Sequence, residues 1–263
     1  MTVPAASVMT GEKTFLAALA AAAVAVILLA APANAGPVII NGGFEALSSP
    51  DVGSTEFGTR YGGQVVTGWT TSGYNYVFKP GTADTSGAVN EYKQQLKLWG
   101  PGDGSGNGLP ASSPAGANFL GADGPYFPGP IQQTVTGLDV GSVATISFYW
   151  AGAQQYGYDG LTTEAWQVSL GNQTQITPVL QNASHGFTGW QQQSLSFVVT
   201  SATEVLSFLA LGTPAGVPPF ALLDGVMISE VPEPGSLMLL GGGLVVAGLA
   251  SCRRRAGRAV GAE

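Results

Sequence analysis

The sequence predicts an all-β protein: one antiparallel β-sandwich over residues 36–231, flanked by an apolar helix on each side. Three observations carry this. Short segments alternate apolar and polar residues and are rich in β-branched and aromatic side chains. Gly (39) and Pro (17) interrupt every window long enough for a stable helix between them. The strands follow at near-regular spacing, which argues for a sandwich over a parallel α/β sheet.

Taken in order, residues 1–35 read as a secretory signal. Lys13 leads into the apolar run Phe15–Ala31, and Ala33-Asn34-Ala35 is the small-x-small pattern that signal peptidase accepts. Cleavage is expected after Ala35. The domain then opens on Asn41-Gly42-Gly43-Phe44-Glu45. Its glycines are expected to take unusual φ values in a turn that drops Phe44 into the core. Gly68 is expected to clear room for Trp69 to plug the sandwich.

Gly100–Pro130 carries six prolines and is read as long loops, a class that is often functional. Strand signals follow. In Val143–Trp150, Ala144, Ile146, Phe148 and Trp150 share one face. Trp166, Val168 and Leu170 align in Ala165–Leu170, and Leu195, Phe197 and Val199 align in Ser194–Thr200. Val205–Leu211 and Leu222–Ile228 are apolar enough for central strands. The last strand is expected to pair beside the first.

The C-terminal stretch 232–258 holds Pro232-Glu233-Pro234, an apolar run to Cys252, and Arg253-Arg254-Arg255. Gly235–Cys252 spans ~27 Å as a helix, at ~1.5 Å per residue, just short of a ~30 Å hydrocarbon core. The arginines belong on the cytoplasmic side, so residues 36–231 lie outside. A Pro-Glu-Pro motif, a Gly-rich apolar helix and an Arg cluster, in that order, resemble the PEP-CTERM sorting signal. The resemblance implies an exosortase as processing partner, besides signal peptidase. It also implies export across the inner membrane of a Gram-negative bacterium, a transient membrane anchor, and a final place on the cell surface or in the extracellular matrix.

Charge excludes one partner class. Residues 36–231 keep 4 basic and 13 acidic side chains, a net of −9. Nucleic acid needs a basic stripe and is not a partner. The chain's single cysteine, Cys252, excludes an intramolecular disulfide and cysteine-based metal sites.

No catalytic constellation is recognisable. His185 is the one histidine, in a turn-like stretch, and no Gly-x-Ser-x-Gly elbow stands in a strand-turn-helix setting. Asp103, Asp123, Asp159 and Glu164 fall on expected loops without a pairing that would mark a glycosidase. Gly102–Gly108 precedes no Lys-Ser/Thr, so it is not a phosphate loop. Asp103, Ser105 and Asn107 echo a calcium loop, but Pro114 stands where the bidentate acid belongs, leaving a flexible glycine-rich loop.

The order of Asn41–Glu45, Gly68-Trp69, Ile131-Gln132-Gln133, Phe148-Tyr149-Trp150, Trp190, Phe197 and Leu223–Ile228 resembles the galactose-binding-like jelly rolls, which include many carbohydrate-binding modules. The resemblance implies a structural Ca²⁺ with Glu45 and Asp224 among its ligands. Hard oxygen donors in an acidic extracellular domain suit that ion. Sugar recognition needs aromatic faces with amides and carboxylates beside them. Trp99, Tyr126, Tyr156 and Tyr158 lie in loop-like surroundings, with Gln154 and Gln155 near the last two, while Trp69, Trp150 and Trp166 are assigned to the core. The leading expectation is a non-catalytic, exosortase-sorted envelope or matrix protein that binds extracellular polysaccharide. The alternatives are a structural spacer with no ligand and a polysaccharide-active enzyme.

Overall fold

The computed structural model describes residues 36–48, 53–57, 65–90 and 92–231. The expected cleavage site at Ala33 and Ala35 and the sorting residues Pro232, Glu233, Pro234, Arg253, Arg254 and Arg255 lie outside the described residues. Among the described residues no helix is long and apolar enough to cross a membrane.

The described residues form two sheets. The strands are β1 (Thr55–Phe57), β2 (Thr70–Thr71), β3 (Asn75–Phe78), β4 (Ala88–Val89), β5 (Gln95–Leu96), β6 (Phe119–Asp123) and β7 (Ile131–Thr136), then β8 (Val143–Gln154), β9 (Thr162–Leu170), β10 (Gln173–Ile176), β11 (Leu180–Asn182), β12 (Gln191–Val198), β13 (Thr203–Thr213) and β14 (Pro219–Val231). One sheet runs β12-β8-β14-β6-β3-β1-β4-β5; the other runs β10-β9-β13-β7-β2, with β11 also on β9. All pairings are antiparallel except β1 with β4. This is the jelly-roll β-sandwich class that the sequence predicts.

The alternating segments behave as period-2 strands should. Ala144, Ile146, Phe148 and Trp150 of β8 point inward against Trp166, Val168 and Leu170 of β9 and Phe208 of β13. Phe208 takes edge contacts from Phe148 (5.1 Å) and Trp166 (6.0 Å), a geometry that aromatic quadrupoles favour. β13 and β14 are central, as their apolar runs predict. Trp69 is buried, packs at 5.3 Å on Phe44, and donates its indole N–H to Asn41 O.

The larger sheet is buried on both faces in its middle. Val77, Leu120, Ala122, Ala221 and Leu223 face the sandwich core. Their neighbours Tyr76, Phe78, Phe119, Phe220 and Leu222 face a second core, closed from outside by Leu96, Leu98 and Leu109. This corrects the reading of Gly100–Pro130 as loops throughout. It contains a 3₁₀ turn at Pro101–Asp103 and the wholly buried strand β6. A strand buried on both faces has no polar alternation to betray it.

Two details of the opening differ from expectation. The positive φ values fall on Asn41 (53°) and Phe44 (57°), not on the two glycines. Gly42 is needed for close approach instead, since a Cβ there would stand 1.9 Å from Val226 O. The opening segment also meets β14 through one backbone bond, Val226 N–H to Gly42 O, rather than through a strand ladder. At Gly68, φ 82°, a Cβ would press on Ile40 and Gln133, so the space this glycine leaves is taken by those side chains rather than by Trp69.

Candidate functional site

Antiparallel pairing brings four strand ends to one rim of the larger sheet. In register, Asn75 opposes Ala122, Phe220 opposes Asp123, and Pro219 opposes Gln154. The start of β3, the end of β6, the end of β8 and the start of β14 are therefore neighbours. The loops leaving them are pinned by Tyr74 N–H to Phe127 O (3.0 Å), Asp123 N–H to Tyr74 O (3.4 Å) and Gln155 N–H to Pro218 O (3.2 Å).

Between these loops lies a pocket of about 480 Å³, lined by Tyr74, Tyr126, Tyr158, Gln94, Gln155 and Asp123 together with the 215–218 loop. The volume is within the ~300–1,000 Å³ range of small-molecule sites. Tyr126 stands edge-on to Tyr74 at 4.9 Å and edge-on to Phe127 at 4.7 Å, and it remains half exposed. Asp123 is 3% exposed, and its Oδ1 accepts the Tyr126 N–H at 3.3 Å. Burial pushes its carboxyl up to about 7, the Tyr126 bond opposing. Burial likewise raises the Tyr74 hydroxyl.

Two of the four predicted aromatics, Tyr126 and Tyr158, thus meet in one pocket. Trp99 and Tyr156 form a neighbouring cluster outside its lining. Trp99 stacks on His185 at 3.9 Å, tilts against Tyr156 at 4.5 Å, and donates its indole N–H to Tyr158 O at 3.0 Å. Lys97 Nζ lies 4.1 Å over the Tyr156 ring. The cluster holds the Tyr158 loop against the sheet. Of the two glutamines, Gln155 lines the pocket. Gln154 is fully buried, donating to Gly160 O and accepting from His185 N–H.

His185 does sit in a turn, at φ 61°, with Nε2 2.5 Å from Asp159 Oδ1. Ser105 Oγ and Asn107 Nδ2 both donate to its carbonyl. Ser105 and Asn107 are thereby tied to the His185 turn, while Asp103 Oδ1 accepts the Gly100 and Ser105 N–H groups. Tyr74 and Gln94 were not legible as site residues. Asp123, expected on a loop, ends β6, and Glu164, also expected on a loop, lies in β9 with its side chain buried between the sheets.

The predicted calcium ligands converge elsewhere. A Cβ at Gly43 would stand 3.9 Å from both the Glu45 side chain and Asp224 Oδ1. Asp224 is fully buried beside the register shift of β14, and it accepts the Ser113 hydroxyl and the Gly225 N–H. Burial first, and then the Glu45 charge, raise its carboxyl to about 7. Glu45 Oε1 accepts the Ala117 and Asn118 N–H groups. Gly116 also borders both, a Cβ there standing 2.8 Å from Glu45 Oε1 and 4.0 Å from Asp224 Oδ2, so this neighbouring pair of carboxyls is the one that could hold a hard cation. Among the described residues no three His, Cys, Asp or Glu side chains converge, so neutral oxygens would complete the set.

Residues 230–255 match the family described as the PEP-CTERM protein-sorting motif. No curated protein sequence matches the chain. Among similar solved structures is TmCBM61 in complex with β-1,4-galactotriose, 14% identical over 63% of this chain and 90% of that one, with a TM-score of 0.35. Another is the CBM22-1 xylan-binding domain of Paenibacillus barcinonensis Xyn10C, 14% identical over 77% of this chain and 99% of that one, at 0.36. A CBM4 structure is 15% identical over 73% of this chain and 99% of that one, at 0.31. The match at residues 230–255 shows a PEP-CTERM protein-sorting motif, which implies export and surface sorting, following the two-sheet β-sandwich described above.

Proposed function

We propose that this chain is an exported, surface-sorted protein whose sandwich, residues 36–231, binds extracellular polysaccharide without turning it over. The observation that carries the reading is the rim pocket. Tyr74, Tyr126 and Tyr158 supply ring faces and edges for the apolar side of a pyranose, and Gln94, Gln155 and Asp123 supply amides and a carboxyl for its hydroxyls. Signal peptidase and an exosortase act as processing partners, and residues 232–258 serve as the anchor before processing. We further assign Glu45 and Asp224 to a structural Ca²⁺, which would neutralise two neighbouring carboxyls and tie the opening turn to β14.

The test is affinity gel electrophoresis of the detergent-solubilised full chain through a panel of polysaccharides, with and without calcium. The expected result is retardation by at least one polymer and no release of reducing sugar. Passage through every gel unretarded overturns the binding reading in favour of a spacer. Reducing-sugar release overturns its non-catalytic part.

A further inference from the structure

The charge and burial inside the rim pocket say more about the ligand than its aromatic lining does. We infer that the pocket takes a short uncharged saccharide unit, one or two rings at a chain end or branch, and that Asp123 excludes glycans bearing carboxylate or sulfate. The inference rests on the polysaccharide-binding reading.

Asp123 is the anchor. The residue is only 3% exposed, yet it lines the pocket. One oxygen is held by the Tyr126 N–H, and no protein donor is bonded to Oδ2 among the described residues. Asp123 therefore takes its remaining donors from whatever occupies the pocket, water or ligand. Sugar hydroxyls supply them: a vicinal diol offers two O–H groups to one carboxyl, and once Asp123 is ionised, above about pH 7, those bonds are about twice as strong as neutral ones.

The same group sets the selectivity. Among the described lining residues there is no Lys or Arg to receive an anion, and residues 36–231 carry a net −9. A uronate placed on these tyrosines would face Asp123 with no cation in the lining to offset the repulsion. Lys97, which precedes the cluster beside the pocket, is turned onto the Tyr156 ring. Size points the same way. About 480 Å³, walled by segments from five parts of the chain, accommodates a unit rather than a passing strand.

The test is calorimetry on the detergent-solubilised full chain at pH 8, where Asp123, raised to about 7, carries its charge. The probes are neutral gluco-, galacto-, xylo- and manno-oligosaccharides, set against oligogalacturonate and alginate oligomers. Asp123→Asn and Tyr126→Ala are compared with the parent, each checked for an unchanged near-UV circular dichroism spectrum. A neutral disaccharide is expected to bind within a few-fold of its tetrasaccharide and at least tenfold tighter than any uronate. Tyr126→Ala is expected to weaken neutral binding at least tenfold. Asp123→Asn is expected to collapse the neutral-to-anionic ratio at least tenfold, which a merely structural role for Asp123 would not do. Uronates binding as tightly as neutral sugars overturn the inference. So does neutral binding whose ratio and strength ignore both variants, although retardation by a polymer would then leave the broader reading standing. Absence of all binding, polymers included, removes both.

Discussion

Replacing Glu164 with Gln tests whether the interior of this sandwich stores a neutralised acid. Glu164 is 1% exposed on the inward face of β9; Oε1 accepts the Thr162 hydroxyl at 2.5 Å, and Oε2 is buried without a partner among the described residues. Gly152 across the sandwich leaves it room, since a Cβ there would stand 2.3 Å from Oε2. Burial pushes the carboxyl from 4.5 up to about 8, against the bond from Thr162. The folded state thus holds a proton that the unfolded chain releases near 4.5. Stability contributed by this group is full below pH 4.5, declines as pH rises, and is lost above about 8. At ~1.4 kcal/mol per pH step the swing is roughly 5 kcal/mol. Glutamine keeps the shape and cannot ionise. Its extra N–H bonds, left without acceptors, cost about 1–3 kcal/mol at every pH and cancel in a comparison across pH. In urea unfolding of parent and Glu164→Gln, the variant should be the weaker at pH 4.5 and the more stable by about 2–4 kcal/mol at pH 9. Asp123 and Asp224, also raised to about 7, contribute to both proteins alike. A difference between the two proteins that is the same at pH 4.5 and pH 9, within about 1 kcal/mol, refutes the reasoning.

Calcium at a hundredfold excess over its dissociation constant should stabilise the parent by about 2–3 kcal/mol, or roughly 5–10 °C in the melting curve. Asp224→Ala should remove most of that gain, and a melting curve indifferent to EDTA would rule the site out. Gly42→Ala drives a methyl onto Val226 O and should destabilise by about 1–3 kcal/mol, measured by thermal unfolding, whereas alanine at Gly104, where nothing lies within 4 Å, should lose only what its φ of 92° demands. Trp99→Ala frees the Tyr158 carbonyl and unstacks His185, so glycan affinity should fall several-fold with Tyr158 itself intact, as seen by calorimetry. Substituting Pro232-Glu233-Pro234 by alanines should leave an unprocessed precursor in the membrane fraction; normal processing would mean that these residues are not what the sorting machinery reads.

Where a strand has one face inward, its pattern was readable from the residues. Val143–Trp150 and Ala165–Leu170 alternate because each second side chain meets the opposing sheet, and both are strands with the predicted faces buried. β6 was not readable, because residues 83–109 cover its second face and leave every position buried, with no period. The same holds for the acids. Nothing local separates Asp123 and Glu164 from the solvated Asp159, which is 85% exposed; only the sheets packed around them do.

The sequence by itself determined the class of fold, the sorting motif and the aromatic supply, since each is written in local pattern or contiguous spelling. Tertiary structure alone decided which aromatics share a pocket. Tyr74, Asp123, Tyr158 and Gly216 are far apart along the chain and come together only through antiparallel register, because pairing β3 with β6, β6 with β14, and β14 with β8 delivers four distant strand ends to one rim.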